Sequence, residues 1–227
     1  MQNAAVREEP DEVVPVADAL REAITSGDFA PDQRLVEADL SERFGASRAA
    51  VRTALVQLAA EGLVERVQNR GARVRAVSLA EAIEITEIRM AVEGLCAAKA
   101  AGKAGDEDRD RLGRIGAAMR DAVAAGDVMG YSELNRQLHD LVLTVSGQRT
   151  ARAVLERLRG QNVRHQFRLA IRPGRSAESL PQHIAIIDAI CAGDPDGAKS
   201  AMRAHLRSVI DALPAVEAGG TRRRDAP

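Results

Sequence analysis

Apolar residues recur along most of the chain at the three- and four-residue spacing of amphipathic helices. The first stretch places four apolar side chains on one face of a helix that ends near Gly27: Val16, Leu20, Ala23 and Ile24. Leu40 and Phe44 mark a second, short helix. The chain therefore begins with two predicted helices.

A third helix is predicted after Ser47, whose hydroxyl can accept a hydrogen bond from the free amides of the first turn. Its buried stripe consists of three apolar residues: Val51, Leu55 and Leu58. Beyond Gly62 the apolar spacing changes to two, because residues 63–67 and 72–75 alternate apolar with polar side chains around a turn at 69–71. Three helices followed by a β-hairpin is the order of a winged helix-turn-helix.

From Ser78 onward the helical spacing continues and no pair of strands is predicted. The predicted helices cover residues 79–101, 106–125, 128–146, 149–171, 176–192 and 195–213. We therefore predict a mainly α protein, with a winged helix-turn-helix and its small hairpin wing over residues 12–77 and an all-α helical bundle over residues 78–214. Residues 215–227 lack apolar periodicity and are predicted to be a disordered tail.

The composition points to a soluble two-domain protein with an aliphatic core. Apolar residues make up 45% of the 227 residues, but aromatic residues only 2%. Cys96 and Cys191 are the two cysteines, so no disulfide framework is implied and a reducing cytoplasm fits. No long apolar run and no signal-peptide pattern is present, so we expect a cytoplasmic protein without a membrane partner.

The charge of the chain is unevenly distributed. Its formal net charge is −1, which by itself argues against nucleic acid. Between Arg43 and Arg75, however, seven arginines face two glutamates, a local net charge of +5. A DNA phosphate backbone would therefore meet a positively charged segment.

The third helix and the wing carry the candidate DNA-binding residues. A recognition helix presents short or basic side chains in its first two turns, and four residues fit: Ser47, Arg48, Ala49 and Arg52. Arg48 and Arg52 are four residues apart on one face, so both can reach guanine edges or phosphates. The wing adds further candidates, and one more precedes the second helix: Asn69, Arg70, Gly71, Arg73 and Arg34. The alternative is that these arginines are ordinary solvated side chains.

The same segment resembles the winged helix of GntR-type regulators. The resemblance covers roughly residues 14–75 and is strongest over residues 34–55, RLVEADLSERFGASRAAVRTAL. It implies that Arg48 and Arg52 contact operator DNA, with help from the wing. Ala49 and Ala50 stand where the family usually has a Thr-Pro pair, so a hydroxyl contact is expected to be missing.

All four histidines lie in the predicted helical bundle. Asn135 and His139 are four residues apart and project from one helix face, a spacing that lets two side chains share a metal ion. His183 and His205 lie on the apolar stripes of two further helices and therefore point inward. Inward histidines need partners, because an unpaired buried imidazole is costly. Metal ligation is one solution, and a hydrogen-bonded core histidine is the other.

These positions carry a second resemblance, to the FadR C-terminal ligand-binding domain, over roughly residues 80–212. It rests on three segments: EIRMAVE at 87–93, NRQLH at 135–139, and SLPQH at 179–183 together with AHL at 204–206. The resemblance to the metal-containing branch implies that Asn135, His139, His183 and His205 bind a divalent ion. It also implies a carboxylate effector on the ion, and it disfavours the acyl-CoA-binding branch, which lacks this set.

Zinc and nickel both suit imidazole ligands, and the ligand types do not separate them. Arg89 is a candidate for pairing with the effector carboxylate, and Glu93 lies four residues further on. The alternative for these two residues is an i, i+4 ion pair at the surface. His165 is covered by neither motif and is expected to be core or pocket lining without a role.

We therefore expect a homodimeric repressor or activator that binds a pseudo-palindromic double-stranded DNA operator and responds to a small carboxylate. A metal-dependent enzyme with a basic appendage is the alternative from another class. It would need a general base, for which the sequence offers only Glu93 or an unplaced carboxylate. In a third possibility the ion is structural and the effector binds elsewhere.

Overall fold

A computed structural model describes residues 15–67 and 71–221, with the side chains of 216–221 outside the described set. The chain divides into two compact units, Met1–Ala76 and Val77–Pro227. The predicted mainly α fold is confirmed, with a small sheet confined to the N-terminal unit. No helix in the described part of the chain is long and apolar enough to cross a membrane.

The N-terminal unit has three helices and three short strands. In chain order these are α1 (Val16–Ser26), β1 (Arg34–Leu35), α2 (Glu37–Arg43), α3 (Arg48–Ala60), β2 (Val64–Val67) and β3 (Gly71–Val74). Helix α1 ends at Gly27, whose φ of 93° favours glycine. Helix α3 begins as predicted, because the Ser47 hydroxyl accepts a hydrogen bond from the Ala50 amide at 3.1 Å. The helix order and the hairpin thus agree with the winged helix-turn-helix pattern.

Strand β1 was not predicted, because two residues are too few to show a periodicity. It pairs with β3, and the antiparallel sheet has the order β1-β3-β2. Arg34 lies opposite Arg73, and Leu35 lies opposite Ala72. Gly71 has a φ of 86°, and a Cβ there would lie 2.7 Å from the Leu35 carbonyl oxygen. The close approach of β1 to the wing therefore requires glycine at this position.

The C-terminal unit contains only helices in its described residues. They are α4 (Leu79–Ala101), α5 (Asp106–Ala125), α6 (Val128–Ser146), α7 (Arg149–Ala170), α8 (Arg175–Cys191) and α9 (Pro195–Thr221). Helices α4 and α9 pack together most extensively. Fully buried alanines let their backbones approach closely: Ala97, Ala100 and Ala198. Helix α9, together with α6 and α8, positions His139, His183 and His205.

Helix α9 corrects one expectation. The sequence predicted a helix end at 213 and a tail from 215, but the helical backbone continues to Thr221. Residues 215–218, Ala-Val-Glu-Ala, include good helix formers, and extending an existing helix needs no new nucleation. The prediction of a disordered tail for 222–227 lies outside the described residues.

The packing of α3 gives a stability prediction. Leu58 is fully buried and Val56, on the same helix, is 46% exposed. We expect Leu58→Ala to destabilise the N-terminal unit by about 2–5 kcal/mol, whereas Val56→Ala should change stability by about 0.5 kcal/mol or less. Hydrogen-exchange mass spectrometry of α3 peptides should then show exchange at least about 30-fold faster in Leu58→Ala. Similar exchange in the two variants would contradict the assigned burial.

Candidate functional site

The first candidate site is an arginine-lined groove on the N-terminal unit. Four arginines and one carboxylate line a groove of about 750 Å³: Arg34, Arg48, Arg52, Arg66 and Glu37. Ser47, Arg48, Ala49 and Arg52 are all exposed at the start of α3, as a recognition helix requires. The structure thus brings Arg48 and Arg52 of α3 together with Arg34 of β1.

Two predicted DNA-contacting arginines are held by carboxylates within the unit. The Arg52 guanidinium donates to Glu37 through Nε and Nη2, with a shortest distance of 2.7 Å. Arg73 donates to Glu65 across the hairpin at 2.8 Å. The hydrogen bond from Arg52 lowers the pKa of Glu37, so this carboxylate is charged at neutral pH. Both arginines remain about half exposed or more, so a phosphate can replace the carboxylate in either ion pair.

The remaining wing residues divide into two groups. Gly71 begins β3 beside Leu35, while Asn69 and Arg70 lie outside the described residues.

Arg66 and Glu37 were not singled out from the sequence. Arg66 is exposed, but strict alternation along β2 would place it on the same face as the buried Val64, so the strand pattern gives no signal for it. The pairing of Glu37 with Arg52 depends on how α2 and α3 pack.

The second candidate site is a cluster of three buried histidines in the C-terminal unit. His139 comes from α6, His183 from α8 and His205 from α9, and none is more than 5% exposed. The ring centroids of His183 and His205 are 4.3 Å apart, and those of His139 and His205 are 5.4 Å apart. One ring nitrogen of each residue lies within 4.8 Å of those of the other two. Three helices therefore bring three potential ligand atoms to one point.

The Nδ1 atom of each histidine has its own partner. His139 Nδ1 lies 2.6 Å from Glu93 Oε2, and His205 Nδ1 lies 3.1 Å from Gln182 Oε1. His183 Nδ1 lies 2.7 Å from the Tyr131 hydroxyl. These contacts occupy Nδ1 and leave the three Nε2 atoms for a shared partner, the arrangement that orients histidine ligands around metal ions.

The protonation of the cluster suits ligation. Burial, together with the neighbouring histidines and Arg175, lowers the pKa of His183 and His205 well below the usual value. Both imidazoles are therefore neutral at pH 7, which is the form that binds a metal. Burial also raises the pKa of Tyr131, so its hydroxyl stays protonated.

Two of the buried atoms without a hydrogen-bond partner in the described chain belong to predicted metal ligands. One is His183 Nε2, and the other is Oδ1 of Asn135, one turn before His139 on α6. Buried polar atoms are costly without a partner, so each is expected to meet a group from outside the chain. A divalent ion would accept lone pairs from both. The residues present therefore fit the metal site that the sequence resemblance implies.

Glu93 lies behind His139 and is 2% exposed. Its carboxylate accepts from Arg89 Nε at 2.8 Å and from Arg159 Nη2 at 3.3 Å, in addition to its contact with His139. Burial alone would raise the pKa of Glu93, but the charges of Arg89 and Arg159 and the hydrogen bond with His139 lower it well below the usual value. Arg89 and Glu93 thus form their i, i+4 pair, in the interior instead of at the surface.

Sequence reasoning missed three residues around the cluster: Tyr131, Gln182 and Arg159. Tyr131 was detectable, because it shares one helix face with Asn135 and His139 at intervals of four. Gln182 directly precedes His183 in the sequence. Arg159 was not detectable, because it reaches Glu93 from α7 and the sequence does not show where α7 packs. His165 lies apart from the cluster, with its Nε2 2.8 Å from the Val77 carbonyl oxygen.

Comparisons with known proteins agree with both units. Residues 13–74 match the family described as bacterial regulatory proteins, gntR family, and residues 84–208 match the FCD domain family. The transcriptional repressor RspR of Escherichia coli is 27% identical over 194 residues, which are 86% of this chain and 85% of that protein. The repressor GlaR of the same organism is 29% identical over 208 residues, 88% of this chain and 94% of that protein.

A regulator encoded in an unstable DNA locus of Streptomyces ambofaciens is 31% identical over 204 residues, covering 88% of this chain and 84% of that protein. Among solved structures, Escherichia coli McbR/YncC has a TM-score of 0.74 at 21% identity over 89% of this chain and 97% of that one. A regulator from Rhodococcus has a TM-score of 0.71 at 23% identity, with the same coverage. At these identities the structures support the fold alone. The sequence matches show that the chain belongs to the GntR family of transcription regulators, which are not enzymes, and that its C-terminal unit is an FCD domain.

Proposed function

We propose that this regulator is a repressor whose affinity for its operator is controlled by a small carboxylate bound at a divalent ion. One observation supports the proposal: one ring nitrogen from each of three buried histidines lies within 4.8 Å of those of the other two, and buried atoms of His183 and Asn135 have no hydrogen-bond partner. The repressor relatives RspR and GlaR support the direction of regulation.

The ion would be held by four uncharged donors: Asn135, His139, His183 and His205. Imidazole nitrogens and an amide oxygen suit zinc or nickel. Because the donors carry no charge, the ion's full double charge remains to attract an anionic effector. Glu93 supports this arrangement by holding His139 in the tautomer that presents Nε2 to the ion.

On the N-terminal unit, α3 would enter the major groove with Arg48 and Arg52 at the base edges. Arg34, Arg66 and Arg73 would contact the phosphate backbone, and the wing would lie against the adjacent groove. Two copies of the chain would read the two halves of a pseudo-palindromic operator. Effector binding would change operator affinity by favouring one conformation of the dimer over another.

Catalysis at the histidine cluster is disfavoured by the state of Glu93. A general base needs an accessible lone pair and a pKa near the working pH. Glu93 is buried against three cationic or hydrogen-bonding groups that lower its pKa. The carboxylate beside the cluster therefore serves to orient His139, as a regulator requires.

The recognition helix is tested by the double variant Arg48→Ala, Arg52→Ala. Each bidentate base contact contributes about 1–3 kcal/mol, so loss of both should weaken binding at least about 30-fold. Fluorescence anisotropy with a fragment of the protein's own promoter region measures the effect. Arg120→Ala, which removes an exposed arginine from α5, serves as the control and should bind normally. Undiminished binding by the double variant would refute the assignment.

Glu37 provides a second test of the groove. Glu37→Gln removes a carboxylate that competes with phosphate for Arg52, so we expect tighter DNA binding at low salt. The gain should fade as salt rises, because the repulsion between a carboxylate and phosphates is screened. Glu42→Gln, on the same helix but away from Arg52, is the matched control. Weaker binding by Glu37→Gln would indicate that Glu37 positions Arg52 for contact instead of competing for it.

Elemental analysis tests the metal site. Protein purified without a His tag should contain about one divalent ion per chain, whereas a His139/His183/His205→Ala variant should contain almost none. His165→Ala removes a histidine outside the cluster and should retain the ion. Circular dichroism confirms that each variant is folded. Equal metal content in the triple variant and the parent protein would eliminate the site, and an effector response that survives metal loss would make the ion structural.

A further inference from the structure

Arg175 is a buried cation whose hydrogen-bonding capacity is only partly used within the described chain. It lies at the start of α8 and is 5% exposed. Its Nη1 donates to the Ser208 hydroxyl at 3.0 Å, but its Nη2 is buried and has no partner. A guanidinium always carries its charge, so burial without a matching anion is costly. We therefore expect the Arg175 guanidinium to bind an anion.

The position of Arg175 connects it to the histidine cluster. On α8, Arg175, Ser179 and His183 follow one another at intervals of four, so they share one helix face. On α9, Ser208 lies three residues after His205, about one helical turn further on. The contact with Ser208 therefore brings the Arg175 head group to the same side of α9 as His205. The field of Arg175 also contributes to the lowered pKa of both His183 and His205, after the larger effect of burial.

The other buried charges near the cluster are already matched. Glu93 balances Arg89, while Arg159 divides its hydrogen bonds between Glu93 and Asp140. The carboxylate that the structure places nearest to Arg175 is Glu178, 3.5 Å from Nη1, but Glu178 is half exposed and is shared with Arg172. Arg175 thus adds a positive charge near the histidine cluster, where the four proposed metal donors include no carboxylate.

We propose that Arg175 binds a second acidic group of the effector, so that the effector is a small dicarboxylate. One carboxylate would bind the ion, and the other would accept hydrogen bonds from Arg175 Nη2. This inference rests on the proposed metal site. A divalent ion together with Arg175 would give this site more positive charge than one carboxylate neutralises. A guanidinium also matches a carboxylate in both charge and shape.

The competing explanation is structural, with Arg175 only tying α8 to α9 through Ser208. Three variants separate the two roles. Arg175→Gln removes the charge, Arg175→Lys keeps a charge without the guanidinium geometry, and Ser208→Ala removes the tie to α9 while leaving the guanidinium in place. If Arg175 binds ligand, the glutamine variant loses dicarboxylate binding and the Ser208 variant retains it.

The experiment measures binding of dicarboxylates from malonate to adipate by isothermal titration calorimetry, each compared with the monocarboxylate of equal carbon number. In the full-length, metal-loaded protein we expect at least one dicarboxylate to bind at least about 10-fold tighter than its monocarboxylate partner. Arg175→Gln should abolish this preference and leave monocarboxylate binding within about twofold. Arg175→Lys should retain part of the preference, because it keeps the charge.

Metal content is measured for every variant, so the two proposals fail separately. A full complement of metal without any dicarboxylate preference would overturn the role of Arg175 and leave the metal site intact. Equal loss of mono- and dicarboxylate binding in Arg175→Gln, or the same loss in Ser208→Ala, would show that Arg175 is structural. Absence of metal from the parent protein would instead overturn the proposed function.

Discussion

The arrangement of the C-terminal unit depends on the contact between Glu93 and His139. A carboxylate this deeply buried is tolerated only because Arg89, Arg159 and the His139 imidazole surround it. These contacts join α4, α6 and α7 through one charged group. They also fix the orientation of the His139 ring, whose centroid lies 5.9 Å from that of His183 and 5.4 Å from that of His205. The ion-pair network around Glu93 therefore determines how the His139 ring is oriented toward the other two histidines.

Charge balance then divides the interior of this unit into two regions. Behind His139, two arginines face Glu93 and Asp140, so cations and anions are matched. On the side of His183 and His205, Arg175 Nη2 has no hydrogen-bond partner, and the carboxylate 3.5 Å from its Nη1, that of Glu178, is half exposed. Because a low-dielectric interior penalises an unmatched charge, the proposed binding of an anion at Arg175 would stabilise this second region.

The sequence predicted most of the helices and the inward direction of the histidines, since both follow from helical spacing within one element. Tyr131 could have been added by the same rule. Glu37 with Arg52 and Glu93 with Arg159 could not, because each pair is brought together by the packing of two helices, and sequence spacing carries no information about that distance. Strand β1 escaped prediction because its two residues are defined by their pairing with β3. The metal and effector roles came from resemblance, since spacing alone left a hydrogen-bonded core open.

The DNA-binding unit uses paired charges for a different purpose. Arg52 and Arg73 each hold an exposed carboxylate, and exposed ion pairs contribute little to stability. Under the proposed function their effect would be on binding, because DNA would have to replace Glu37 and Glu65 as the partners of these arginines. Each new contact with a phosphate or base would then be weakened by the loss of an existing ion pair. A non-specific sequence that offers only phosphates gains less from this exchange than an operator that also offers guanine edges. Under the proposed contacts, Glu37 would reduce non-specific affinity more than operator affinity, because only an operator offers Arg52 a guanine edge. Glu65 would reduce both affinities alike, because Arg73 would contact phosphate in either case.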